Sequence, residues 1–210
     1  MRLAWWLVLV GVMIALAYAT RAVAGKPDPN VLYQWSTAIG GLVQDGIILF
    51  FVLLIAGFSR DRLALRRPRS YGRAAALIGV TVVAIYVFEG LYTWLAHPGN
   101  EQGLTPSSWQ PDHAAAYVAN AIVICTWVPF VEELTFRGLG YTLLARFGQW
   151  QAILSVGLLF GLAHGLVAEL PIIVVFGCML AFVRARTDSV YPGMLLHGAF
   201  NLIALIAAVA

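Results

Sequence analysis

Apolar residues run through this chain in stretches long enough to cross a bilayer, and the polar positions that interrupt them mark loops and one internal cluster. The first run, Leu3 to Ala19, stands behind Arg2 and is followed by the turn-forming Gly25-Lys26-Pro27-Asp28-Pro29-Asn30. A second helix is predicted from about Leu32 to Phe58, with Asp45 beside Gly46 inside it, and a third from about Ala74 to Ala96, with Glu89 near its far end. Asp45 is read first as a polar contact between helices. A fourth helix starts near Ala114 and runs through Pro129, which is expected to kink it and free backbone carbonyls. Gly138, Gly140 and Gly148 then bracket a short segment ending in Arg146. Gln151 to His164, Pro171 to Arg186 and Tyr191 to Val209 supply three further helices.

Polarity inside these runs is sparse and concentrated. Glu132, Glu133 and Arg137 lie in otherwise apolar helical sequence, where a charge costs about 2.5–3.5 kcal/mol and so needs a partner or a watery cavity. Glu133 and Arg137 are four apart and share a helix face. Glu132 lies about 100° around the helix from Glu133, so one acid is paired and the other is available. Two later helices carry Phe160 with His164 and His197 with Asn201, each pair at i,i+4 on one face. Glu132 and His164 are equally far from Gly148, so a hairpin turning there brings them to one depth. A Glu and a His can polarise one water, while a second His and an amide offer donors to an oxyanion. No Gly-x-Ser-x-Gly is present and no Ser, Cys or Thr sits beside a convincing base, which argues against a covalent nucleophile. Glu132, His164 and His197 read equally as three zinc ligands with an open fourth position.

Composition narrows the class. With 210 residues, 61% hydrophobic and 11% charged, and a mean hydropathy of +0.83, the chain reads as an all-α polytopic transmembrane bundle of seven or eight helices. Residues 1–113 are expected to form accessory helices and residues 114–210 the helices that carry the polar cluster and any catalysis, within one bundle and with no separate soluble domain. The +3 net charge does not signal nucleic acid, because most of the positive charge lies between Ser59 and Arg73, where it reports topology. That loop and the Arg137–Arg146 region are expected to face the cytoplasm, placing the mouth of the site there, while the 97–113 loop faces out. Cys125 and Cys178 are isolated within apolar sequence and read as small hydrophobes. Ala17-Tyr18-Ala19 and Ala22-Val23-Ala24 resemble signal-peptidase sites, but the single Arg ahead of the run favours an uncleaved first helix.

Three motifs, Glu132-Glu133-x-x-x-Arg137, Phe160-x-x-x-His164 and His197-x-x-x-Asn201, occur in an order that resembles the CPBP family of intramembrane proteases, also called CAAX prenyl protease 2-like or Abi proteins. The Arg186-Thr187-Asp188-Ser189-Val190-Tyr191-Pro192 run resembles the family's lead-in to the last motif, and the likeness covers roughly residues 125 to 205. The resemblance implies an endopeptidase acting on a membrane-associated or lipidated protein or peptide. Glu132 and His164 would activate water, His197 and Asn201 would form the oxyanion hole, and Glu133, Arg137 and Phe160 would support the site. A metal-free mechanism is favoured over zinc, since few buried carboxylates would remain to orient the histidines once Glu132 became a ligand. The expected setting is a bacterial or archaeal plasma membrane. A non-catalytic immunity or scaffold protein would more often lack one of these residues, and a transporter would more often carry an internal repeat, which this sequence lacks.

Overall fold

The computed structural model describes residues 1–25, 28–99, 101, 106 and 108–209; part of the 25–30 turn and most of the loop after Gly99, Gly103 included, lie outside the described residues. These residues form seven helices and no strand: α1 Arg2–Ala24, α2 Trp35–Ala56, α3 Tyr71–Ala96, α4 Pro111–Phe147, α5 Gln149–Ala163, α6 Leu170–Thr187 and α7 Tyr191–Ala207. Five are long and apolar enough to cross a membrane, and α5 and α7 are shorter apolar helices. The chain is an integral membrane protein.

The outer helices show why the sequence does not fold as a soluble bundle. On α2, Ile39, Val43, Ile47 and Phe50 are all exposed, whereas Ala38, Asp45, Val52 and Ala56 are buried. Large apolar side chains that face outward suit lipid, and the small or polar residues turn toward the other helices. Inside, glycines set the spacing. A Cβ on Gly157 of α5 would lie 2.3 Å from the Cys178 sulfur and one on Gly177 of α6 would lie 3.0 Å from the Gly157 backbone, so these two helices meet backbone to backbone.

Helix α4 is continuous, which corrects the expectation that Gly138 and Gly140 bracket a separate segment. These glycines serve close approach. A Cβ on Gly138 would stand 2.8 Å from the Leu63 carbonyl, and one on Gly140 would stand 2.3 Å from the Trp6 ring. The turn is at Gly148, at φ 125°, where the sequence reading placed it, and it closes the α4–α5 hairpin. Within α4 the turns widen to π geometry at Val123–Trp127 and Glu133–Gly140, a device frequent at functional sites.

At the end of the bundle that holds Arg2, the 57–70 loop is tied to the α6–α7 corner. Arg66 donates from Nε to the Asp188 carbonyl at 2.8 Å and from its terminal nitrogen to the Asp188 carboxylate at 2.7 Å, and Arg184 reaches the same carboxylate at 3.0 Å. Burial pushes the Asp188 carboxyl up, but Arg66 and Arg184 outweigh it and hold the group below its ordinary value. A carboxylate so shifted stabilises the fold above the unfolded aspartate value of about 3.9 and loses that contribution as pH falls through the lower folded value. Amide protection in residues 59–70 should therefore be weaker in Asp188→Asn than in wild type at neutral pH. Equal exchange in the two proteins at neutral pH would mean the loop is held by other contacts.

Candidate active site

The three motifs come together at the middle of the bundle. Glu132, on α4, has one carboxylate oxygen 3.9 Å from His164 Nε2 at the end of α5 and the other 3.7 Å from His197 Nε2 on α7. The second of these oxygens, Oε2, has no hydrogen-bond partner although it is buried. Glu132 and His164 remain partly accessible, with 18% and 26% of their side chains exposed.

Each imidazole is held by its other nitrogen. His164 Nδ1 lies 2.8 Å from the Phe160 carbonyl one turn back, and His197 Nδ1 lies 3.3 Å from Glu133 Oε1. If each Nδ1 carries the proton, both Nε2 atoms turn lone pairs toward the space beside Glu132. As an imidazolium, His197 would instead donate from both nitrogens, flanked by two carboxylates.

Behind this front stands a fully buried support. Arg137 donates to Glu133 Oε1 at 2.9 Å and to the Gly177 carbonyl of α6 at 3.0 Å, with both ion-pair side chains at 0% exposure. Its guanidinium sits 4.1 Å from the centre of the Phe160 ring, a cation–π contact. Phe160 therefore acts twice, its carbonyl orienting His164 and its ring covering the buried cation. Gly193 is required beside the pair, since a Cβ there would lie 2.5 Å from Glu133 Oε2.

Asn201 owes its place to Pro129. Within the widened turn, the Val128 N–H bonds back to the Val123 carbonyl, five residues away. The same register would pair the Ile124 carbonyl with residue 129, but proline has no N–H. The Asn201 side-chain amide takes that acceptor at 2.8 Å. A backbone defect in α4 thus fixes the amide on α7, and its second N–H remains for another partner.

Two cavities meet at Glu132 and His164. The smaller, about 180 Å³, is lined by Gln44, Asp45, Val131, Glu132, Thr135 and His164 among others, so α1 and α2 contribute directly to the site's surroundings. Asp45, read from sequence as a helix contact, lines this space beside Glu132. The larger, about 550 Å³, carries Glu132, His164, His197 and Asn201 on its wall and extends past Glu89 and Thr93 to Pro98 and Gly99. That end lies opposite the basic 59–73 loop, with which the sequence reading had paired the mouth.

Among the described residues, no group of three His, Cys, Asp or Glu side chains is arranged to hold a metal ion. Zinc bonds of about 2.0–2.1 Å in a tetrahedron put ligand atoms roughly 3.4 Å apart, closer than either histidine stands to Glu132.

Sequence reasoning found Glu132, Glu133, Arg137, Phe160, His164, His197 and Asn201, and all of them meet here. It missed the Glu133–His197 contact and Gly193, because i,i+4 spacing reveals a shared face but not which helices adjoin. Residues 114–203 match the model of a family described as type II CAAX prenyl endopeptidase Rce1-like, which bears out the resemblance carried by the three motifs. No curated protein and no solved structure matches the chain.

Proposed function

Taking the Rce1-like endopeptidase match over residues 114–203 as premise, we propose that this protein is an intramembrane endopeptidase that cleaves a membrane-associated or lipidated polypeptide with a water activated by Glu132 and His164. One observation carries the reading: two imidazole Nε2 atoms converge on a carboxylate whose Oε2 is buried and unpaired, on the wall of a cavity. A water between Glu132 and His164 would give its proton to the carboxylate as it attacks the scissile carbonyl. Glu132 would then pass that proton to the leaving amine. His197 as imidazolium and the second N–H of Asn201 would receive the developing oxyanion.

A metal-free reaction is part of the proposal. It is supported by the separations of Glu132 from the two histidine nitrogens, 3.9 and 3.7 Å, which are wider than the roughly 3.4 Å between ligands of one zinc. Were zinc bound, Glu132, His164 and His197 would be its ligands and it would polarise the water.

Asn201 separates this chemistry from a packing role. Asn201→Ala should lower kcat about 10²–10³-fold on a membrane peptide in detergent or liposomes, with KM little changed. A rise in KM at unchanged kcat, measured by mass spectrometry of the products, would assign Asn201 to binding instead.

A further inference from the structure

Charge and cavity occupy opposite ends of this bundle. One end gathers Arg2, the six arginines between Ser59 and Arg73, Arg146, Arg184 and Arg186, against Asp61 and Asp188. Contacts tie these groups to a single end: Arg2 Nε donates to the Ile55 carbonyl, the Val190 N–H to the Ala64 carbonyl, and Arg66 to Asp188. At the other end Arg21 is the only Lys or Arg among the described residues, and it is paired with Glu101 at 2.5 Å. Glu101 also accepts from the backbone N–H groups of Val167, Ala168 and Glu169, so this end carries acids on its surface turns. The positive-inside rule assigns the arginine-rich end to the cytoplasm.

The approach to the site lies at the acidic end. The larger cavity runs from Glu132, His164 and His197 along α3 to Thr93 and Gly99, both exposed. Toward the arginine-rich end every residue from Glu133 to Gly140 is buried, and Gly138 and Gly140 sit against Leu63 and Trp6.

We infer that the site takes its substrate from the non-cytoplasmic face of the membrane. The substrate class is then a polypeptide exported to that face or exposed there by a membrane protein, rather than a lipidated C-terminus presented by a cytosolic protein. This inference rests on the endopeptidase reading for its meaning, but sidedness can be measured without catalysis.

The test uses the full chain with Cys125 and Cys178 replaced by alanine and single cysteines at two positions per end. Pro98→Cys and Ser108→Cys report the cavity end, and Arg67→Cys and Arg146→Cys the other. A membrane-impermeant maleimide applied to intact cells should label the first two and reach the second two only after permeabilisation. The reverse pattern overturns the inference. A membrane peptide added outside should likewise be cleaved by right-side-out vesicles and not by sealed inverted ones. Cleavage confined to inverted vesicles also overturns it, whereas the expected labelling with no cleavage in either orientation counts against the endopeptidase reading alone.

Discussion

Glu132→Gln is expected to reduce peptide cleavage by at least about 10³-fold while leaving expression and thermal melting close to wild type, in line with the 10²–10⁴ commonly carried by a general base. Glutamine keeps the shape and can still accept a hydrogen bond, but it cannot take the proton of an attacking water. Little stability should be lost, because Oε2 of Glu132 has no hydrogen-bond partner in the folded protein and the two histidine Nε2 atoms that face its carboxylate stand at 3.7 and 3.9 Å. If Glu132→Gln cleaved at a rate within tenfold of wild type, the base would have to be another group, with Asp45 across the small cavity the first candidate.

Glu133→Gln should behave in the opposite way, with a large loss of stability. Arg137 is fully buried and donates to Glu133, the only carboxylate it bonds among the described residues; it also bonds the Gly177 carbonyl and lies over the Phe160 ring. Removing one member of a buried pair strands the other, at about 3–5 kcal/mol. Turnover should fall too, because Glu133 also orients His197. The double variant Glu133→Gln/Arg137→Met removes the stranded charge, so it should melt above Glu133→Gln. Equal destabilisation by Glu132→Gln and Glu133→Gln would contradict the unequal roles assigned to these neighbours.

Much of this division was legible in the sequence. The i,i+4 relation of Glu133 to Arg137 predicted the pair, and the equal distances of Glu132 and His164 from Gly148 predicted their convergence, because a tight hairpin at a positive-φ glycine fixes register along both helices. Other features were hidden for physical reasons. A widened helical turn has no composition of its own, so the link from Pro129 through the Ile124 carbonyl to Asn201 emerges only once the Val128 N–H is seen to bond five residues back. Gly138 and Gly140 read as helix breaks, yet their function is to admit Leu63 and Trp6, partners more than seventy residues away in sequence. The end at which the cavity opens depends on which helices diverge, and the positions of the arginines say nothing about that. Asp45 looked like a packing residue because its neighbour across the cavity, Glu132, lies on another helix.

The central claim is that a protein-bound water, activated by Glu132 with no metal, cuts a peptide bond. The most direct measurement is cleavage of a membrane peptide by the purified protein in liposomes after exhaustive chelation, with metal content determined on the same sample. Undiminished cleavage by metal-free wild type, absent in Glu132→Gln, is the predicted result. Cleavage lost on chelation and restored by stoichiometric zinc would contradict it and make Glu132, His164 and His197 ligands.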